Sequence, residues 1–308
     1  MKVLVLGAQG QVGDNFVRSE ELARRYDTVF ATRDGRLLNG RLCESVDLTS
    51  TDALTELLDR ITPQLIINAA AYTKVDQAEH EESVATAVNA HAVGALGEWA
   101  ARNQARVVHY STDYVFDGTA QRAYPVNAET GPLNAYGRSK LAGEWALRLS
   151  GADHVILRTA WVYGCRGQNF FRTMLRLGKE RDELRIVADQ YGAPTPTSLI
   201  VAGTLAALDN WPVAEQGGGA HLGRTHHLVC SGIATWFDFA QAIFKQAQER
   251  GILPKIPHLL PISSEDYPSP TVRPAWSVLD NSGFSEHFGF KLPDWRVCLQ
   301  EVFDELST

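Results

Sequence analysis

The sequence predicts an α/β protein: a Rossmann-type, doubly wound parallel sheet with a smaller, loop-rich C-terminal substrate lobe. Three observations predict it. Short apolar runs alternate with helical patterns up to about residue 162. The first run, Val3-Leu-Val-Leu6, leads straight into Gly7-Ala-Gln-Gly10-Gln-Val-Gly13. Beyond Tyr163 the alternation ends, and Pro194, Pro196, Pro254, Pro257, Pro261, Pro268, Pro270 and Pro274 break the chain into short pieces. Strands that alternate with helices build parallel sheets, and ligands of such sheets lie at the strands' carboxyl ends. The expected division is residues 1–162 as a dinucleotide-binding unit and 163–308 as mainly a substrate-binding lobe, with some segments returning to the first unit.

Each element has its own warrant. Lys2 to Leu6 is apolar in the manner of a strand buried on both faces. Gly7 permits a tight turn, Gly10 lets backbone approach a pyrophosphate, and Gly13 lets the next helix pack close to the strand. Gln11 and Val12 open that helix, whose free N–H groups and positive dipole end favour phosphate. The second strand is expected at Thr28 to Thr32, and Val46-Asp47-Leu48 reads as the end of a third. A helix begins near Ser50. Leu65-Ile-Ile-Asn68 is a buried strand that runs into Ala69-Ala-Ala71, where small side chains leave room for a cofactor. Helical patterns cover roughly 84–103 and 138–149. Val107 to Ser111 and Val155 to Arg158 read as further strands, and Gly217-Gly-Gly219 as a loop.

The second strand bears on which dinucleotide is held. An acidic residue near its end would bind the ribose 2′-OH of NAD. The stretch reads Phe30-Ala-Thr32-Arg33-Asp34. Thr32 and Arg33 suit a 2′-phosphate, because Arg offers a planar, charged donor. Asp34 leaves NAD open, and Arg33 as a solvated loop charge is the plainer alternative. Asp47 either accepts a bond from the adenine amino group or caps the helix near Ser50. NADPH is the expected cofactor, with NADH possible. The candidate cofactor residues are Gly7, Gly10, Gln11, Val12, Gly13, Thr32, Arg33, Asp47, Leu48, Ala69, Ala70, Ala71, Thr73, Tyr136 and Lys140.

Tyr136-Gly-Arg-Ser-Lys140 supplies the chemistry. Residues four apart on a helix share one face, with Cβ atoms about 5–6 Å apart. A phenol with pKa near ~10 is a poor acid–base at neutral pH, and a neighbouring ammonium is expected to lower that value. Ser111 or Thr112, at a strand end, can donate to a substrate oxygen. Alone, Tyr-x-x-x-Lys recurs by chance in many chains. Combined with the glycine loop and the upstream hydroxyl, it points to hydride transfer coupled to proton transfer at a carbonyl or alcohol.

Composition narrows the partners. The 308 residues suffice for a sizeable core. Apolar residues make up 44% and charged ones 21%, as in a globular rather than a disordered chain. A net charge of −7 gives no footprint for nucleic acid or an anionic membrane. No apolar stretch approaches the length of a membrane span and no signal peptide precedes the first strand, so a cytoplasmic enzyme is expected. Cys43, Cys165, Cys230 and Cys298 are scattered without metal spacing and read as reduced thiols.

Several longer blocks carry a resemblance. They are Asn68-Ala-Ala-Ala-Tyr-Thr-Lys-Val-Asp76, His109-Tyr-Ser-Thr-Asp-Tyr-Val-Phe-Asp117-Gly118 and Pro132-Leu-Asn-Ala-Tyr136-Gly137. Further on come Arg158-Thr-Ala-Trp161-Val-Tyr163, Asp189-Gln-Tyr-Gly-Ala-Pro-Thr195, Thr235-Trp-Phe-Asp-Phe-Ala240 and Arg273-Pro274. Over nearly its whole length the chain resembles the dTDP-4-dehydrorhamnose reductase family of extended short-chain dehydrogenase/reductases. Epimerases and dehydratases of that superfamily share the glycine loop and Tyr-x-x-x-Lys, but do not usually share the Gln-Tyr-Gly-Ala-Pro-Thr block.

The resemblance implies NADPH-dependent reduction of a nucleotide-sugar C4 ketone. Tyr136 would protonate the oxygen, Lys140 would hold the ribose and tune Tyr136, and Thr112 would polarise the carbonyl. Asp113 and Trp161 would lie by the sugar, or else serve as a turn cap and a core aromatic. Asn169, Arg172 and Arg273 are candidates for the substrate's diphosphate, with a pairing to a surface carboxylate as the alternative for Arg273. Some members of the family use magnesium at a subunit contact; no carboxylate cluster here carries that over, and no metal site is assigned. Monomer and homodimer both stay open. Two alternatives stand beside this expectation: a related epimerase or other 4-ketoreductase, and a non-catalytic dinucleotide-binding regulatory subunit of the kind known among relatives.

Overall fold

A strand that is apolar at successive positions needs cover on both faces. The computed structural model, which describes residues 1–211, 225–267 and 269–307, provides it. The expected Gly217-Gly-Gly219 loop and Pro268 lie outside the described residues. Strands β1 (Lys2–Leu6), β2 (Asp27–Thr32), β3 (Glu44–Ser45), β4 (Leu65–Asn68), β5 (Arg106–Thr112) and β6 (Asp153–Thr159) form one sheet in the order β3-β2-β1-β4-β5-β6. All its pairings are parallel. Thr225–His227, from the far C-terminal half, adds a strand beyond β6 in register with Ile156–Arg158.

Side chains alternate across this sheet, as pleating requires. Val3, Val5, Ile67 and Val108 face one core, which continues into Phe171, Phe239, Trp295 and Phe303 of the C-terminal half. Leu4, Leu6, Ile66 and Val107 face the other, under Leu54, Leu58, Leu96 and Trp99. Each such large apolar side chain contributes roughly 1.5–3 kcal/mol when fully buried.

Three elements differ from expectation. The third strand is Glu44–Ser45 and ends before Val46, because Asp47 Oδ1 accepts both the amide and the hydroxyl of Thr49 at 2.9 Å and turns the chain. Asp47 therefore does not cap the next helix, Thr51–Ile61; Ser50 does, accepting from Ala53 N at 3.2 Å. The helix carrying Tyr136 starts at Ala135, three residues before the expected start, because Asn134 caps it by accepting from Gly137 N at 2.8 Å. The expected helix over 84–103 is Glu82–Thr86, a π-turn at Ala87–His91, then Ala92–Arg102. From Val162 onward the pairings are separate and small: Val162–Tyr163 with Thr195–Pro196, Tyr191–Gly192 with Ala234–Thr235, and the five-residue strands Glu183–Val187 and His258–Ile262 with each other. No described helix is long and apolar enough to cross a membrane, and the four cysteines are free thiols.

Candidate active site

Strand order reverses between β1 and β4, where Leu6 is in register with Asn68. Such a switch point opens a crevice at the carboxyl ends. The glycine loop fills one side of it. Gly7 turns the chain with φ +78°, and a Cβ there would stand 2.6 Å from Ala70 Cα. A Cβ on Gly13 would stand 2.1 Å from Gly7 O. Gly10 is the N-cap of the helix Gln11–Arg18 and contributes no side-chain bond, so backbone N–H groups alone face outward there. Ala69, Ala70 and Ala71 are half-buried against this loop, and Thr73 is exposed just beyond. The cradle is bare backbone with small side chains, as an approaching diphosphate requires.

At the far end of the crevice the contacts are more committed. Thr32 is buried, and its hydroxyl donates to Asp34 Oδ1 at 3.0 Å and accepts from Arg36 N at 3.1 Å. The Gln9 amide, in the glycine loop, donates to the same Asp34 oxygen at 2.8 Å. Gln9 chiefly, with Thr32 and the Arg36 amide, holds the Asp34 carboxyl below its usual range. The Arg33 side chain is exposed, Asp47 is exposed close by, and Leu48 is half-buried.

The chemical groups gather at the end of β5. Thr112 Oγ1 donates to Asp113 Oδ1 at 2.8 Å, accepts from Tyr114 N at 3.2 Å, and lies beside the Tyr136 phenol. Tyr136 packs edge-on against Tyr114, with ring centroids 5.7 Å apart. Lys140 is buried on the same helix, and its ammonium donates to Tyr110 O at 2.6 Å. Burial pulls the Lys140 pKa down to about 8, against the opposing charge of Glu144.

One expectation fails here. The phenol of Tyr136 is not lowered by the ammonium; burial first, and then the Asp113 carboxylate, push it above its ordinary value, with only the Thr112 hydroxyl opposing. The reason is geometric: Lys140 is turned onto a strand carbonyl. Tyr136 is thus held in its protonated form through the neutral range.

Beneath this cluster lies a buried ion layer that sequence reasoning missed. Glu144, one turn beyond Lys140, takes Arg158 from β6 (2.8 Å) and Arg148 (2.8 Å). Asn89, in the π-turn, was missed as well. Its amide bonds Tyr72 N (2.8 Å), Tyr72 O (3.1 Å) and Ser139 Oγ (3.0 Å), tying the β4 loop to the helix that carries Tyr136. A π-turn is a common signature of functional sites, but it has no sequence pattern.

The C-terminal half contributes the remaining candidates. Trp161 adopts φ +48°, a strained backbone for a bulky residue. Its ring stacks on Trp236 with centroids 3.6 Å apart, and Gly192 leaves room for it: a Cβ there would meet the indole at 2.5 Å. Trp161 is only half-buried, so it is neither a plain core aromatic nor a free surface one. Arg273 donates to both oxygens of Asp76 at 3.1 and 3.0 Å, the carboxylate pairing that the sequence left open. Asn169 caps the helix Phe170–Glu180 and donates to Gln11 Oε1 at 2.8 Å, beside the glycine turn. Arg172 is exposed on that helix. Among the described residues, no three His, Cys, Asp or Glu side chains gather as a metal site.

Comparison with known proteins agrees over the whole length. Residues 1–308 match the family described as the RmlD substrate binding domain. The dTDP-4-dehydrorhamnose reductase of Burkholderia thailandensis is 42% identical over 311 residues, covering 99% of this chain and 100% of that protein. A dTDP-4-dehydrorhamnose reductase ortholog from Clostridium acetobutylicum superposes with a TM-score of 0.87 at 33% identity, covering 100% of both chains. The Bacillus anthracis reductase, solved in complex with NADP, superposes at 0.86 with 32% identity over 99% of both. This chain belongs to the RmlD family, that of the dTDP-4-dehydrorhamnose reductases.

Proposed function

We propose that this chain catalyses NAD(P)H-dependent reduction of the C4 ketone of dTDP-4-dehydro-L-rhamnose to dTDP-L-rhamnose, the last step of dTDP-rhamnose synthesis. The observation that carries this reading is the cluster of buried Thr112 and Lys140 with half-buried Tyr136, beside a glycine turn with no room for side chains. The glycine turn fits a dinucleotide diphosphate, with Gly7, Gly10, Gln11, Val12 and Gly13 around it and Ala69 to Ala71 opposite. A bound reduced nicotinamide supplies hydride to the ketone carbon. Tyr136 gives its proton to the ketone oxygen, Thr112 polarises that oxygen, and Lys140 holds the nicotinamide ribose. Positioning and charge stabilisation at the oxygen supply most of the rate. Trp161 faces the sugar. Residues from 163 onward form mainly the substrate lobe, and Arg273 turns to the substrate diphosphate by exchanging Asp76 for it.

The complete catalytic set disfavours a purely regulatory subunit. The test is spectrophotometric: NADPH oxidation followed with dTDP-linked and other nucleotide-linked 4-keto-sugars. Rapid oxidation with dTDP-4-dehydrorhamnose is expected, and none with any 4-keto-sugar contradicts the reading.

NADPH is used at least as well as NADH. Arg33 is exposed and free to meet a 2′-phosphate, whereas Asp34 Oδ1 is already taken by Gln9 and Thr32. Arg33→Ala should therefore raise KM for NADPH more than for NADH. A wild-type enzyme with strong NADH preference would sink this.

Trp161→Ala should impair turnover of the nucleotide-sugar while cofactor affinity stays close to wild type. Titration of NADPH by fluorescence checks this. Joint loss of cofactor binding and thermal stability would instead make Trp161 a packing residue of the Trp236 stack.

A further inference from the structure

We propose that Asp113 is the proton reservoir of the site, resupplying Tyr136 through the Thr112 hydroxyl. The proposal rests on the reading of Tyr136 as proton donor given above and deepens it.

The geometry is a chain of three groups. Asp113 Oδ1 holds the Thr112 hydroxyl at 2.8 Å, and that hydroxyl lies beside the Tyr136 phenol. Thr112 cannot drift, because its Oγ1 also caps the short 3-10 turn Asp113–Val115. Asp113 is 2% exposed, and its Oδ2 completes no hydrogen bond. A buried carboxyl oxygen left this way is costly unless it serves a purpose.

Among the described residues no unpaired cation faces Asp113, although Ser277, Thr112 and the amides of Asp113 and Tyr114 favour its charged form. Tyr136 approaches from the catalytic helix and Tyr114 from its own turn. Beyond Tyr114 stand Arg273 and Asp76, already paired with each other. The Ser277 hydroxyl tempers the carboxyl from the C-terminal stretch but donates to Tyr191 O at 3.2 Å. Burial consequently lifts the Asp113 pKa to about 6, against the pull of Ser277 and Thr112. An ordinary carboxyl would hold no proton at that pH.

Each turnover leaves Tyr136 as a phenolate, which its burial disfavours. The proton then moves in two linked steps. The O–H bond on Asp113 breaks as Thr112 Oγ takes its proton, and the proton that Thr112 held passes to the Tyr136 oxygen. No electron is transferred, Asp113 is left as carboxylate, and water recharges it when the product leaves. Asp113 acts through Thr112 and is in this sense a positioning residue for the proton.

Asp113→Asn keeps the volume and the hydrogen bond to Thr112 but carries no titrating proton. Infrared titration of the protein without ligands should show a carboxylic-acid band that disappears as pH rises through about 6 and is absent from the variant. With dTDP-4-dehydrorhamnose and NADPH at saturation, wild-type kcat should fall up to about tenfold per pH unit above that value. The variant should lack this pH dependence, with kcat down by roughly 10²-fold near pH 6 and KM for the sugar nucleotide little changed. A band that does not titrate near pH 6 overturns the proposal whatever the activity. So does a variant that keeps the wild-type pH profile, or whose loss lies only in KM, since Asp113 would then be a sugar contact. A wild-type protein with the band but without turnover would count against the proposed reaction, not against the proton on Asp113.

Discussion

Tyr136→Phe is expected to slow the chemical step by roughly 10²–10⁴-fold, the range for a lost general acid. The substitution removes one oxygen and little volume. The edge-on packing against Tyr114 needs only the ring, so the fold and NADPH affinity should persist. Single-turnover measurement of NADPH oxidation, with the cofactor dissociation constant determined separately, checks both halves. Near-normal turnover would remove Tyr136 from the mechanism and revive a binding role for the chain.

Glu144→Gln is expected to lower folding stability by about 3–5 kcal/mol, the usual cost of removing one member of a buried ion pair. Arg148 and Arg158 are 3% and 2% exposed, and the substitution leaves their charges without a counterion. Burial alone would raise the Glu144 pKa, but Arg158 and Arg148 outweigh it and hold the carboxyl near 2. A folded value below the unfolded one means a contribution complete above about pH 4.5 and progressively lost as pH falls toward 2. Urea unfolding at pH 7 should show the full deficit, and the gap between wild type and variant should narrow in acid. A deficit under about 1 kcal/mol at pH 7, the range for exposed pairs, would contradict the account.

The sheet was legible because strands buried on both faces read as short apolar runs. Val3 to Leu6 and Leu65 to Asn68 needed no other signal. The glycine loop was legible because each glycine answers a steric demand, such as the approach of Gly13 to Gly7 O. Element ends were harder. Asn134 and Ser50 are ordinary cap residues, and only their actual bonds distinguish them from Asp47, which turns the chain instead.

Electrostatics were the least legible. Spacing put Lys140 on the face of Tyr136, but the register of β5 puts the Tyr110 carbonyl where it takes the ammonium. Glu144 and Arg158 are unremarkable letters in the sequence until the helix packs over β6. The positive φ of Trp161 and the π-turn at Asn89 are tertiary outcomes without a local code.

The central claim is that the chain transfers hydride to the C4 carbon of a dTDP-linked keto-sugar. The most direct measurement uses NADPH carrying deuterium at the transferring position, dTDP-4-dehydro-L-rhamnose, and NMR of the product. The account predicts dTDP-L-rhamnose with one deuterium on C4 and stoichiometric NADP⁺. Unlabelled sugar with the deuterium still on the cofactor, or an inverted sugar with no net oxidation of NADPH, would contradict it.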